Sequence, residues 1–486
     1  MAGVARLLEE MSSRRPVIVG AGTAGLAAAV TAGEVGRPVT LVEKTDRVGG
    51  MLQWSSGHFS AAGTRRQRAR GITDSPDLHY RDVMAMGHGR NDPALVRLAV
   101  ETLPDTVDWL EGLGFSFSPA TPALVSGHEV YSRPRTYWGG DDPVSGGLEI
   151  LRTLLAHIDE TLVDMRLETA VTRIVVDGSQ GLPAVRGLEV EHDGQRELIE
   201  TSCVILAAGG YAANRVLLAE LQPEHAGALT GCMDHATGDA HEMLSQLGVE
   251  LIGCDAYVPT MGMIEDPDRP GWGLRLTEAR LIVDATQRAP WEIWVNRDGE
   301  RFVNEATESP YEREQALLGQ PDLAMFSIWD RTVVERASPP IGPDRSWDAI
   351  EVEVGRGRWL HRADGLHELA EQLGVDRSGL ERTAATFGPE GPDPFDRIHR
   401  PVRIERPPYY GVRTTGGMLL SRGGPRVDEG LRPLDSTGTA IRGLYAVGEL
   451  LGMTQFSGDS FAGGMSVGPA LAFGRLVMQR AASALD

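Results

Sequence analysis

The sequence predicts an α/β protein interrupted by a second, α+β unit, and three observations carry that prediction. An apolar run, Pro16–Val19, passes through glycines spaced G-x-G-x-x-G into an Ala/Leu-rich stretch from Ala24 to Val35. Two further β-type runs ending in small residues, "CVILAAGGYAAN" (203–214) and "GLYAVGELLGM" (443–453), lie far along the chain. Between them, from about Asp255 to Arg406, the composition turns to Trp, Pro and Arg, with loop signals such as "EDPDRPGWG" and "ASPPIGPDRSWD".

The first strand and helix frame a site. Gly20 lets the chain turn sharply, Gly22 lets a pyrophosphate approach the backbone, and Gly25 lets helix and sheet pack closely. The helix N-terminus adds free N–H donors and a partial positive charge. A second strand, Val39–Glu43, ends in an acid about where a ribose hydroxyl acceptor is expected. This is the signature of a bound dinucleotide.

Ligands of open parallel sheets sit outside the strand ends, so the runs at 203–214 and 443–453 would grip the same molecule. After Glu43 comes the Gly/Ser-rich "KTDRVGGMLQWSSGHFSAAGT" rather than an immediate third strand, and no second G-x-G-x-x-G occurs. One large cofactor, FAD, fits better than NAD. The expected organisation is a Rossmann-type FAD-binding domain in two parts, 14–254 and 407–486, with an inserted capping or substrate domain at 255–406.

Composition excludes several classes. A formal charge of −21 over 486 residues argues against a nucleic-acid partner. No apolar run reaches membrane-spanning length, and the first residues lack the apolar core of a secretory signal, so a cytoplasmic location is expected. Cys203, Cys232 and Cys254 form no C-x-x-C, which gives no haem-c or iron–sulfur pattern. They read as buried inert thiols, and no metal is expected.

Five stretches, "GAGTAGL", "VEKTDRVGGM…SSGHFSAAGT", "LAAGGY" with "TGDAHEM", "VNRDGERFVNE" and "GLYAVGELLG…GGMSVGPALAFGRL", resemble the fumarate reductase/succinate dehydrogenase flavoprotein family. The resemblance implies FAD, a small organic substrate and a capping domain that closes over the flavin. It implies that Gly20, Gly22, Ala24 and Gly25 face the pyrophosphate and Glu43 the ribose, with Lys44 beside it. Gly50, Met51 and Gly57 would line the ribityl chain and flavin, and Val171, Ala208, Gly209 and Asp239 the adenine side. Gly448 and Glu449 would bind cofactor hydroxyls, and Ser466 and Val467, opening the last helix, would offer N–H groups to the flavin.

The departures from the family pattern are informative. Met51 stands where some members carry a flavin-linking histidine, which implies non-covalent FAD. Ser309 takes the place of an arginine proton donor, Arg413 that of a histidine, and Phe461 that of a carboxylate-gripping arginine. The C-terminal stretch is instead similar to the branch with 3-ketosteroid Δ1-dehydrogenases and tricarballylate dehydrogenases. That branch carries a tyrosine base after "FVNE", and Tyr311 stands two residues beyond its usual place.

Removing two hydrogens across a C–C bond needs a base at the carbon beside a carbonyl and a hydride acceptor. Tyr311 is the candidate base, with Arg313 close by to stabilise its phenolate. Arg413 could polarise a carbonyl or clamp a carboxylate, or simply anchor the cap by an ion pair. His58 in the flavin-wrapping loop and Tyr137 in "HEVYSRPRTYWGG" are further candidates, with Tyr131 and Arg135 behind them. The expected function is FAD-dependent dehydrogenation, or reduction in reverse, of a CH–CH bond beside a carbonyl, with a carbonyl or carboxylate substrate and a separate electron acceptor or donor. An electron-transfer flavoprotein subunit with a partner protein, and an FAD-dependent monooxygenase, remain alternatives.

Overall fold

The computed structural model of the protein describes residues 15–125, 129–141, 146–178, 182–225, 227–256, 260–343 and 346–485. The expected domain start at residue 14 lies outside them. The elements that position the site are β1 (Val17–Val19), α1 (Thr23–Glu34), β2 (Val39–Val42), β3 (Val163–Arg166), β4 (Val204–Leu206), β5 (Thr260–Met263), α2 (Pro310–Leu318), β6 (Ala324–Asp330), β7 (Tyr409–Met418), β8 (Leu444–Ala446) and α3 (Val467–Leu485).

Five strands form one parallel sheet in the order β8-β4-β1-β2-β3. β1, β2 and β4 are buried at every position, the pattern of parallel strands covered on both faces. Helix α1 buries every residue from Ala24 to Ala32, because it packs on the sheet with one side and on α3 with another. Small side chains are what such a position accepts. A separate three-stranded antiparallel sheet at 170–177, 184–192 and 195–200 carries Val171.

The second unit is built on an eight-stranded, mainly antiparallel sheet. Its central strand β7 pairs with β6 from Tyr409↔Asp330 to Thr415↔Ala324, and with β5 and the strand Leu360–Ala363. Trp294 and Trp329 are fully buried in its core. Much of its arginine content is internal too: Arg288 pairs with Glu292 at 2.7 Å, and Arg301 with Glu305 and Asp393.

The domain boundaries need correction. β7 lies beyond the expected end at residue 406, and the short strand Leu229–Thr230, before the expected start, pairs in parallel with Gly417–Met418. Composition shifts at Arg406, but sheet membership follows hydrogen-bond partners far away in sequence. Among the described residues no helix is long and apolar enough to cross a membrane.

Candidate functional site

A cleft opens at the carboxyl ends of the parallel strands, where ligands of such sheets bind. Gly20, Gly22 and Ala24 line it from the glycine loop, and Glu43 and Lys44 from the end of β2. Gly50 and Met51 enter from the turn Gly50–Gln53, and Val171, Ala208, Gly209 and Asp239 supply a wall. Gly448 and Glu449 close the far end, where a smaller recess shared with Ser466 continues it. Val467 begins α3 without lining either space.

The cleft fits a dinucleotide on its own geometry. A Cβ placed on Gly22 would meet nothing within 4 Å, so the loop leaves open space in front of α1. The first intrahelical bond is Leu26 N–H to Gly22 O, which leaves the preceding N–H groups free for phosphate oxygens. Glu43 is held ready: Oε2 accepts from Ala21 N at 2.8 Å and Oε1 from Thr45 N at 2.9 Å. Lys44 Nζ pairs with Asp239 Oδ2 at 2.7 Å. Burial works to raise the Asp239 pKa, but the hydrogen bonds from Lys44 and Thr237 outweigh it and hold the carboxyl below its ordinary value.

Glu449 is the unusual member. Burial pushes its carboxyl up to about 7, against the pull of a hydrogen bond from Ser421 N at 3.0 Å. Near neutral pH it can therefore both donate to and accept from hydroxyls. Thr169, His235 and Met243 also line the cleft and were not foreseen, since nothing local marks them.

Two glycines do other work than the resemblance implied. A Cβ on Gly25 would lie 1.8 Å from Gly20 O, so Gly25 is a packing position beneath the loop. Gly57, with φ +66°, backs onto Gly146 and Gly147, where a Cβ would come within 2.3 Å of backbone. Neither lines the cleft.

A second constellation lies on the seam between the two units. The carboxylate of Glu129 accepts from Tyr311 N at 3.1 Å and from Ser460 Oγ at 3.2 Å, while its own N–H donates to Phe461 O. It ties the first turn of α2 to the segment before α3. The Tyr311 ring stacks on His88 at 3.8 Å between centroids, giving that histidine a place that its sequence context did not suggest. Arg313 is buried, and its Nη1 donates to Thr307 O at 2.8 Å. Arg422, 2% exposed, anchors its guanidinium on the carbonyls of Gly458 and Ser460, and burial lowers its pKa to about 10.

The other candidate catalytic side chains are placed elsewhere. Tyr137 is fully buried, pairs with Phe59 across a two-stranded ladder and bonds Thr64 Oγ1 at 2.6 Å. Burial pushes its hydroxyl up to about 12, so it belongs to the core and not to the chemistry. Tyr131 is likewise buried, with its hydroxyl on Gly463 O, and Arg135 pairs with Asp74. His58 packs against Trp138. Arg413, on β7, faces Glu265 just beyond β5 at 3.7 Å, which is the anchoring arrangement. Tyr311 and Arg313 thus lie on the first turns of one helix, with the ring on His88 and the guanidinium on Thr307 O, while Arg413, Tyr137 and His58 make the contacts just described elsewhere.

Comparison with known proteins agrees with this architecture. The family model described as "FAD binding domain" matches residues 15–466. The fumarate reductase (cytochrome) of Shewanella frigidimarina is 30% identical over 475 residues, covering 96% of this chain and 76% of that protein. The open conformation of a flavocytochrome c3 fumarate reductase superposes with a TM-score of 0.75 at 27% identity, covering 97% of this chain and 78% of the other. A 3-ketosteroid Δ1-dehydrogenase from Sterolibacterium denitrificans shares the fold, with a TM-score of 0.78 at 21% identity over 96% of this chain and 99% of the other.

Proposed function

This chain belongs to the FAD-binding family of fumarate reductase-like oxidoreductases acting on CH–CH groups, and from that premise we propose a finer reading. The protein dehydrogenates, or in reverse reduces, a CH–CH bond beside a carbonyl in a small organic substrate, at the seam between the capping and cofactor-binding units. The observation that carries this is the Glu129 bridge, which fixes the Tyr311 backbone of the cap against Ser460 in the segment leading into α3. FAD, held in the cleft, supplies the hydride acceptor or donor.

The chain's own residues handle the proton and the charge. Tyr311 exchanges the proton on the carbon next to the carbonyl, and Arg313, two residues on, places a buried cation on the same helix. Met51 lines the cleft with a thioether, which offers no site for a flavin linkage, so the cofactor is held non-covalently. Acid precipitation should accordingly release free FAD into the supernatant; flavin pelleting with the protein would refute this.

The direct test is anaerobic flavin bleaching across a panel of cyclic ketones, acyl compounds and di- and tricarboxylates. At least one saturated member with a CH–CH bond beside its carbonyl should bleach the flavin, and its unsaturated counterpart should reoxidise it. Bleaching only by nicotinamide nucleotides would point to a different reaction class.

Fumarate should be a poor oxidant of the reduced enzyme. Ser309, at the position of the family's arginine, is consumed as the N-cap of α2, its hydroxyl accepting from Glu312 N at 3.2 Å. Phe461 brings no charge to the other end. Stopped-flow reoxidation by fumarate should stay below the ~1–1000 per second usual for enzymes on their own substrates. Turnover within that range would make this chain a fumarate reductase.

A further inference from the structure

Glu314 lies one helical turn beyond Tyr311 on α2, the spacing that puts two side chains on one face. Glu314 is half-buried as a residue, yet its Oε2 is sealed from solvent and makes no hydrogen bond. The same is true of Nε on Arg313 beside it and of Nε on Arg422, which belongs to the segment after β7. Folded proteins leave few buried polar atoms unpaired, and a cluster drawn from both sides of a domain seam calls for a functional account.

The charged groups facing this carboxyl are Arg313 on its own helix, Arg422 from the cofactor-binding side and Glu129 from the bridging loop. Burial, the largest influence, pushes Glu314 up to about 8; Arg313 and Arg422 work against that rise and Glu129 adds to it. An acid so poised passes a proton in either direction near neutral pH with little driving force.

We propose that Glu314 is the proton relay behind Tyr311, reloading and unloading the phenol while Arg313 and Arg422 hold the charge left on the carboxylate. The inference rests on the reading of Tyr311 as the proton-exchanging group. In the reducing direction FAD bound in the cleft would supply the hydride for one new C–H bond as the C=C π bond breaks, and the Tyr311 hydroxyl proton would form the other. The Glu314 carboxyl proton then restores the phenol, and water restores Glu314. Dehydrogenation runs the same transfers backwards: Tyr311 takes the proton from carbon and the ionised Glu314 accepts it onward. Glu314 acts through Tyr311 and is a positioning residue in that sense.

The sign of the pH dependence follows. Below its titration near pH 8 Glu314 is loaded for reduction; above it, it is empty and ready for dehydrogenation. Infrared difference spectra of the holoenzyme across that titration should show a protonated carboxyl band that vanishes as pH rises and is missing from Glu314→Gln. In stopped flow, bleaching by the most active panel compound should accelerate through the same pH range in the wild type. Glu314→Gln should be slower by roughly 10–100-fold, less than the 10²–10⁴ of a group that touches carbon directly, and should lose that pH limb. Glu314→Asp should regain it.

Absence of a Glu314-dependent band overturns the relay, as does a Glu314→Gln profile superimposable on the wild type. A Tyr311→Phe enzyme that bleaches at full rate while Glu314→Gln loses the limb also overturns it, and assigns Glu314 to the substrate itself. If no panel compound bleaches the wild type, the reaction class fails, and the infrared band alone decides whether Glu314 carries the proton.

Discussion

Gly22→Val is expected to give a folded but colourless protein. Gly22 has an ordinary extended backbone, φ −85° and ψ −164°, which valine adopts readily, and a Cβ there meets no atom within 4 Å. The new side chain fills only the space in front of the α1 N-terminus, where phosphate oxygens would meet free N–H groups. Losing two such charge-assisted bonds, about 1.5–3 kcal/mol each, weakens FAD binding by about 10²–10⁴-fold. The ratio of flavin to protein absorbance should collapse while the melting temperature of the apoprotein stays at the wild-type value. Gly25→Ala is the contrasting variant. Its Cβ would sit 1.8 Å from Gly20 O, so the backbone must move and apoprotein stability falls along with FAD binding. A Gly22→Val protein that keeps a full complement of FAD would place the cofactor's phosphates elsewhere.

The contrast between these glycines marks what could be read from sequence. Strand, turn, helix and second strand from Val17 to Val42 were legible because their signals are local: glycine spacing, an apolar run, an acid at the right distance. The parallel neighbours β4 and β8 were legible for the same reason. Tyr137 was misread because aromatic and basic residues in a Pro-containing loop look alike whether they face a substrate or a core; pairing with Phe59 decides it, and that pairing spans most of a domain. β7 was assigned to the wrong unit because "YYGVRTTGGM" has the small-residue character of the cofactor domain, while its hydrogen bonds run to β5 and β6. Glu314 and Arg422 were invisible, each sitting in unremarkable sequence. Only folding brings the middle of α2 against the segment after β7, and only burial then turns an ordinary glutamate and arginine into a poised pair.

Tyr311→Phe tests the chemistry at that seam most severely. The substitution removes one hydroxyl and keeps the ring that stacks on His88, and the bond from Tyr311 N to Glu129 is a backbone contact that phenylalanine preserves. FAD content and melting temperature should therefore match the wild type. Flavin reduction by substrate should nevertheless slow by roughly 10²–10⁴-fold, the scale of a positioned acid–base group. Arg313→Ala, on the same helix turn, should act on the same step; the double variant should be little slower than the worse single one. Arg313→Ala should also cost stability, because the side chain is buried and bonded to Thr307 O, so its melting curve separates folding from chemistry. Arg413→Ala is the control from β7 of the cap sheet. Its partner is Glu265, just beyond β5, so its effect should be small and should add to that of Tyr311→Phe instead of merging with it. A Tyr311→Phe enzyme that reduces its flavin at the wild-type rate would take the tyrosine out of the mechanism and leave Glu314 as the candidate to hold the proton.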